Sequence, residues 1–134
     1  RRDLQMSVSL DAAEDLVKRY TAAWNTGRPE AVAEFFAETG GIVINRGTPW
    51  EARAGITKMA AGFFADVPNL ALVCDGVRLA GTHMVYLWTF TGTHSGTGRP
   101  LRIEGWEEWD LTPDLKIKAS RGWFDPEDWA RQVG

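Results

Sequence analysis

The sequence predicts one α+β domain, because helical patterns fill its first half and strand patterns its second half. Apolar residues recur every three or four positions early in the 134 residues and alternate with polar residues after Pro68. Helices followed by a meander of strands place the helices on one face of an antiparallel sheet. We expect this single domain to span residues 9–134 and the polar residues 1–8 to be disordered.

Three helices are predicted before the four long strands. Apolar positions at helical spacing indicate the first helix over residues 10–25, with Asp11 or Ser9 as its N-cap. Pro29 is tolerated in a first helical turn and opens a short second helix, which is predicted to run through Val32, Phe35 and Phe36. A third helix is predicted over residues 50–65.

Strands make up most of the remaining chain. A brief strand is predicted at residues 41–45, between the second and third helices. Four long strands follow Pro68, at residues 70–79, 83–93, 101–111 and 116–124. A terminal helix containing Trp129 closes the domain, with Asp125 before its first turn.

The composition excludes several classes of function. A net charge of −3 gives no general attraction to nucleic acid or to an anionic membrane. One Cys and two His make neither an internal disulfide nor a familiar metal site, and we expect no cofactor. With no membrane-span or signal-peptide pattern, a cytoplasmic protein is predicted. Seven Trp indicate that several indole rings line a cavity or an interface.

Short motifs in a fixed order give a family resemblance across nearly the whole chain. They are Arg19-Tyr20 with Trp24-Asn25-Thr26-Gly27, Gly55-Ile56, Asp66-Val67-Pro68-Asn69-Leu70, Gly92-Thr93-His94-Ser95-Gly96, and Trp123-Phe124-Asp125 with Gln132. The chain resembles the nuclear transport factor 2-like superfamily, and within it the SnoaL-like polyketide cyclase group. The resemblance implies a cone-shaped half-barrel, with three helices on the concave face of the sheet, an apolar pocket between them and a homodimer. It implies no single chemistry, because the superfamily includes isomerases, hydrolases, cyclases and binding domains.

Strand alternation predicts which side chains enter that pocket. We expect Glu107 to point inward from the strand 101–111. On the strand 83–93 the inward set is predicted to be His83, Val85, Leu87, Thr89 and Thr91. The outer face would then carry an aromatic patch, which favours dimer formation there: Tyr86, Trp88, Phe90 and Trp106.

Tyr20 and Glu107 are the leading catalytic candidates. Similarity to ketosteroid isomerases puts Tyr20 where those enzymes carry an oxyanion-binding tyrosine, and Glu107 near their protonated carboxylic acid. Burial raises a carboxyl pKa and lets the acid donate to developing negative charge. The alternative is a structural hydrogen bond that holds the helix against the sheet.

The catalytic base and acids of related enzymes are missing at the matching positions. Asn45 lies where the isomerases carry a catalytic carboxylate, and it cannot abstract a proton. Asn45 either orients a ligand group or satisfies a turn. Epoxide hydrolase-like members need paired acids, but this chain has Thr89, Thr91 and Gly122 there.

Two further residues could carry protons. His83 could face the pocket as a neutral-pH proton carrier or lie in solvent at its strand end. Asp125 matches an acidic position of the cyclases, or it caps the terminal helix. The predicted ligand-binding residues are Trp24, Phe36, Asn45, Phe63, Leu87, Thr89, Thr91 and Trp109, which suit a small, flat hydrophobic molecule.

Two hypotheses about function follow. The first is an acid–base enzyme of the isomerase, cyclase or hydrolase type, acting on a small hydrophobic carbonyl compound, with Tyr20 and Glu107 stabilising an enolate. The second is a non-catalytic binding or accessory domain whose pocket holds a small apolar ligand.

Overall fold

The computed structural model describes residues 8–134, and these form four helices and one sheet of six strands. The elements are α1 (Leu10–Trp24), α2 (Pro29–Ala33), β1 (Phe36–Ile44), β2 (Trp50–Glu51), α3 (Ala52–Asp66), β3 (Ala71–Ala80), β4 (His83–Thr93), β5 (Pro100–Leu111), β6 (Ile117–Phe124) and α4 (Pro126–Val133). The predicted α+β class is confirmed, and the four long strands lie within one residue of their expected bounds.

The sheet has the strand order β2-β1-β6-β5-β4-β3. Its pairs are antiparallel except for β1 and β6, which run parallel, with Ile42 opposite Ser120. The expectation of a wholly antiparallel sheet was therefore wrong at this pair. A parallel pair needs a crossover connection, and here the chain from β1 to β6 passes through α3 and the β3–β5 meander. The sheet is curved and does not close, while the placement of helices on a concave face stays a prediction.

Local interactions fix both ends of α1. The Ser9 hydroxyl accepts a hydrogen bond from the backbone N–H of Ala12 at 3.1 Å, so Ser9 rather than Asp11 caps the helix. At the other end the Asn25 side chain accepts from Leu72 N at 2.6 Å and donates to Leu72 O at 2.9 Å. This pair of bonds ties the end of α1, and with it Trp24, to strand β3.

The region around β1 differs from the sequence prediction. Helix α2 ends at Ala33 and β1 already begins at Phe36, because Phe36 pairs with Ile117 across an irregularity in the ladder. Residues Trp50–Glu51 form β2 against β1, so α3 begins at Ala52.

One continuous core joins the helices to one face of the sheet. Its largest fully buried side chains include Tyr20 from α1, Phe36 from β1, Tyr86 from β4 and Trp109 from β5. Burial of these aromatic rings makes a large contribution to stability.

The predicted faces of β4 were wrong. Tyr86 pairs with Glu107 and Met84 with Trp109, and residues directly opposite in a ladder share a face. Because Glu107 and Trp109 are buried, the even-numbered residues of β4 face the core with them. The side chains on the other face of β4 are His83, Val85, Leu87, Thr89 and Thr91.

Because the even-numbered residues of β4 face the core, the predicted outer aromatic patch does not form. Tyr86 is fully buried and Phe90 is 3% exposed, while Trp88 stacks on Phe90 with ring centroids 6.0 Å apart. Only Trp106 lies on the opposite face, where it pairs with Trp123 of β6. A homodimer stays a prediction, but the aromatic patch cannot be its interface.

The N-terminal prediction falls almost entirely outside the described residues. Of residues 1–8 only Val8 is described, and its backbone N–H donates to Gly81 O at 3.1 Å. Between residues 8 and 134 there is no helix with the length and apolar character of a membrane span.

Candidate functional site

A buried carboxyl group is the centre of the site. Glu107 lies on β5, is 7% exposed and accepts hydrogen bonds from three side chains. Trp109 Nε1 and Ser120 Oγ each lie 2.9 Å from Oε1, and Tyr20 Oη lies 3.1 Å from Oε1 and 3.2 Å from Oε2. Oxygen Oε1 is thus saturated with donors, whereas Oε2 has one donor and keeps capacity for another group.

Burial sets the protonation behaviour of this carboxyl group. Loss of solvation raises the pKa of Glu107 above its usual value, and the hydrogen bonds from Trp109, Ser120 and Tyr20 oppose that rise. A carboxyl group with a raised pKa can exchange a proton closer to neutral pH than an exposed glutamate.

Tyr20 acts as a hydrogen-bond donor to Glu107. Its ring is fully buried and meets Trp109 edge-on, with centroids 4.9 Å apart. Burial, with the charge of Glu107 as the second cause, raises the pKa of Tyr20 well above its usual value. The phenol therefore keeps its proton and directs it to the carboxylate.

Glu107 also lines an apolar cavity of about 50 Å³. The lining residues come from α1, α3, the segment before β3, and strands β1, β3, β4, β5 and β6: Trp24, Ile42, Ile44, Phe63, Leu70, Leu72, Trp88, Phe90, Glu107, Gly122, Trp123 and Phe124. Glu107 is the one residue with an acidic or basic side chain among these described lining residues. The cavity is smaller than the roughly 300–1,000 Å³ of sites for drug-sized ligands.

Two glycines give the cavity its shape. A Cβ at Gly105 would lie 2.5 Å from two ring atoms of Trp88, so the absence of a side chain lets that indole lie across β5. Gly122 faces Glu107 on β6, and a Cβ there would lie 3.6 Å from Glu107 Cγ. The space beside the carboxyl group therefore depends on a glycine.

The structure brings some of the predicted site residues together. Tyr20 and Glu107 are hydrogen-bonded as expected, and Trp24 and Phe63 line the cavity. Phe36 and Trp109 are fully buried in the core and are not among the lining residues; Trp109 instead donates to Glu107.

The predicted lining residues of β4 lie on the other face of the sheet. Leu87 and Thr91 are absent from the cavity wall, and Thr89 Oγ1 donates to Asp75 Oδ2 at 2.5 Å. The prediction that they line the pocket was wrong, because the register of β4 against β5 puts the even-numbered residues of β4 on the core face.

Asn45 has a structural position at the end of β1. Its backbone φ is 51°, its N–H donates to Gly122 O at 2.9 Å, and its Oδ1 accepts from Phe124 N at 2.9 Å. The side chain thus joins the turn after β1 to the end of β6. Of the two interpretations of Asn45, the turn-forming one agrees with this geometry.

Asp125 and His83 are not among the described lining residues of the cavity. Asp125 is exposed and caps α4 by accepting from Glu127 N at 2.9 Å. His83 lies between Glu108, 2.6 Å from Nε2, and Asp110, 2.9 Å from Nδ1, and Arg121 binds both acids. The hydrogen bond to Asp110 is the main cause that raises the pKa of His83 above its usual value.

Sequence reasoning missed most of the sheet residues in the cavity wall. Trp88 and Phe90 were assigned to the outer face, and Ile42, Ile44 and Phe124 were not singled out. The pairing of β4 with β5 was the missing signal, because it puts Trp88 opposite Gly105.

Over residues 8–134, no three His, Cys, Asp or Glu side chains lie together as metal ligands would.

Solved structures similar to this chain share its fold. A protein with a ketosteroid isomerase-like fold from Catenulispora acidiphila, in complex with trimethylamine, has a TM-score of 0.82 at 21% identity, covering 90% of this chain and 92% of the other. TsrD from Streptomyces laurentii has a TM-score of 0.81 at 18% identity, covering 95% and 98%. SalBIII, an epoxide hydrolase/cyclase-like enzyme with a role in pyran ring formation in salinomycin, has a TM-score of 0.75 at 18% identity, covering 86% and 92%.

Family membership rests on the sequence itself. The curated proteins compared with the chain give no match. The family model of the SnoaL-like domain matches residues 17–119, a range that contains α3, β5 and both Tyr20 and Glu107. The chain therefore belongs to the SnoaL-like domain family, within the nuclear transport factor 2-like superfamily.

Proposed function

We propose that the protein is an acid–base enzyme that moves a proton on a small, neutral, hydrophobic carbonyl compound. The observation that carries this proposal is Glu107, a carboxyl group with a raised pKa in the wall of an apolar cavity. Three neighbouring donors hold it in one orientation, and fixed orientation is what proton transfer requires.

Glu107 acts as the base in this proposal, and Tyr20 positions it. The carboxylate takes a proton from the carbon next to the carbonyl group. The electron pair of that C–H bond forms a C=C bond, and the carbonyl π pair moves to oxygen. In an isomerisation, Glu107 then returns the proton to another carbon conjugated with the enolate. In a ring closure, the enolate carbon bonds to a second carbonyl carbon of the same molecule, and the π pair of that carbonyl moves to its oxygen, which takes the proton from Glu107.

This assignment changes the roles implied by ketosteroid isomerases. There, a tyrosine and a protonated acid both donate to the substrate oxygen. Here the Tyr20 proton is directed to Glu107 at 3.1 Å, and Asn45 replaces the separate base. Glu107 is then the proton carrier. This role is consistent with the cavity wall, because no other described lining residue has an acidic or basic side chain.

Deuterium exchange into simple ketones tests the proposal. Protein is incubated in D₂O with cyclohexanone and with a series of smaller ketones, and loss of the α-proton signal is followed by NMR. We expect exchange above the buffer rate, and we expect Glu107→Gln to reduce it by about 10²–10⁴-fold. The rate of the unaltered protein should rise with pH as Glu107 ionises.

Glu108→Gln is the matched control. It makes the same change one residue further along β5, on the opposite face, where Glu108 binds His83 and Arg121. Exchange should stay within about twofold of the unaltered protein, since one outer-face charge is screened by water. Equal exchange by the Glu107→Gln protein contradicts the proposal, as does a buffer-level rate for every ketone.

The small cavity favours a second candidate function. About 50 Å³ with a single carboxyl group also suits a domain that holds a small apolar molecule without converting it. That function predicts saturable ketone binding with no exchange, together with a bound compound that co-purifies and is detected by native mass spectrometry.

A further inference from the structure

Two residues of the cavity wall have an indole N–H group without a hydrogen-bond partner. The Nε1 atoms of Trp24 and Trp88 are buried and bond to no group within residues 8–134. Both residues line the cavity, and Trp24 is only 7% exposed. Leaving a buried donor without a partner destabilises the folded state, so two such donors on residues of one cavity wall indicate a function for this arrangement.

The fold holds both indoles where they are. Trp24 is the last residue of α1. The side chain of its neighbour Asn25 forms hydrogen bonds with both the backbone N–H and the backbone C=O of Leu72 in β3. Trp88 lies across Gly105, its cross-strand partner on β5. The Trp24 N–H lies near Tyr20 and opposes the rise in the pKa of that phenol, which burial causes, although it does not reach hydrogen-bonding geometry.

The other donors near Glu107 are already occupied. Tyr20, Trp109 and Ser120 all direct their protons to the carboxylate. Among the described lining residues, the side-chain donors without a partner are the two indole N–H groups, and an indole nitrogen donates but does not accept. Whatever binds beside them must present an acceptor atom.

The charge of the wall restricts that acceptor further. No Lys, Arg or His is among the described lining residues, and Glu107 would repel an anion once it ionises. The remaining wall is aromatic and aliphatic, which favours a molecule with an apolar body. A neutral oxygen such as that of a ketone fits these conditions, whereas a phosphate or carboxylate does not.

We propose that Trp24 and Trp88 donate their indole N–H groups to the carbonyl oxygen of a neutral substrate, which makes them the oxyanion-binding residues of this site. The proposal rests on the function proposed above and names its substrate class, an uncharged carbonyl compound. Negative charge that reaches the oxygen, when Glu107 removes the α-proton, is stabilised by donors placed there in advance.

A matched pair of probes isolates the hydrogen bonds. Cyclohexanone and methylenecyclohexane have the same shape, but only the ketone has an acceptor oxygen. Dissociation constants for both are measured by NMR titration with the unaltered protein and with the Trp24→Phe and Trp88→Phe proteins. Each substitution removes an N–H group and keeps an aromatic ring, so we expect ketone affinity to fall about five- to tenfold more than hydrocarbon affinity.

Trp50→Phe is the control variant, because Trp50 is 39% exposed and lies outside the cavity wall. It should leave both affinities within about twofold. A second measurement follows the indole ¹H–¹⁵N signals of Trp24 and Trp88, which are expected to shift downfield with the ketone and not with the hydrocarbon.

Several results would overturn the inference. They are an unchanged ketone-to-hydrocarbon ratio in both variants, equal shifts with both probes, or failure of cyclohexanone to bind at millimolar concentration. The same titration in the Glu107→Gln protein separates this inference from the proposed function. A ketone preference that persists there while no protein catalyses exchange would remove the enzymatic function and keep the indole site.

Discussion

The phenolic oxygen of Tyr20 lies 3.1 and 3.2 Å from the two carboxylate oxygens of Glu107, across the junction between α1 and the sheet. Because the phenol keeps its proton, the pair is a donor and an acceptor rather than two donors aimed at a substrate. The hydrogen bond between them couples the packing of α1 on the sheet to the protonation of Glu107, the one carboxyl group in the described cavity wall.

Substitution of Tyr20 by Phe tests that coupling. Tyr20→Phe removes a hydrogen bond that lowers the pKa of Glu107, so that pKa should rise further above its usual value. The carboxyl ¹³C resonance of Glu107 measures it directly in a pH titration. The free energy of unfolding should fall by about 1–2 kcal/mol.

Tyr86→Phe provides the comparison for this substitution. Tyr86 is also fully buried, but its hydroxyl bonds to Thr21. We expect a similar loss of stability and a smaller change in the pKa of Glu107. Equal displacement of that pKa by both substitutions would mean that the Tyr20 hydrogen bond does not control it.

The raised pKa of Glu107 makes stability depend on pH. The unfolded chain ionises this carboxyl group near its usual value of about 4.3, whereas the folded protein holds the proton to higher pH. Between those two values the folded state binds more protons, so this group's contribution to stability is present below the lower value and is lost as pH rises through the higher one.

The substitution Glu107→Gln should remove this component. Urea unfolding from pH 4 to pH 9 is expected to show that the stability difference between the unaltered protein and the Glu107→Gln protein shifts in favour of the variant as pH rises. His83 also has a raised pKa, but it is present in both proteins and cancels in the difference. A difference that does not change with pH would show that Glu107 ionises normally in the folded state.

Substitution by Ala should affect two glycines near the cavity differently, lowering stability at one and ketone binding at the other. Gly105→Ala forces a Cβ to within 2.5 Å of Trp88 and 2.6 Å of Trp123 O, so we expect a loss of about 1–3 kcal/mol in urea unfolding. Gly122→Ala makes only ordinary contacts, the nearest at 3.6 Å. It should change stability little and weaken ketone binding, because the new methyl group lies beside Glu107. Normal binding by the Gly122→Ala protein would place the ligand elsewhere.

The order of elements was predictable from the sequence, but the faces of the strands were only partly so. Alternation on β5 identified Glu107 correctly, because its other face is strongly polar. On β4 both faces carry apolar residues, so alternation could not choose between Leu87 and Trp88. The choice depends on register, and register depends on the six-residue loop 94–99 between β4 and β5, which pairs even-numbered residues of β4 with odd-numbered residues of β5.

The replacement of a catalytic acid by Asn45 gives a last prediction. Asn45→Asp restores a carboxyl group at the position where ketosteroid isomerases carry their base, yet we expect no gain in deuterium exchange. The Asn45 side chain is directed to Phe124 N at 2.9 Å, and Asn45 is not part of the cavity wall. Since an Asp oxygen can accept the same hydrogen bond, the melting temperature should change little. Asn45→Ala removes that acceptor and should cost about 1–2 kcal/mol. A marked increase in exchange by the Asn45→Asp protein would show that this turn opens toward the substrate, and would return the base to its position in the isomerases.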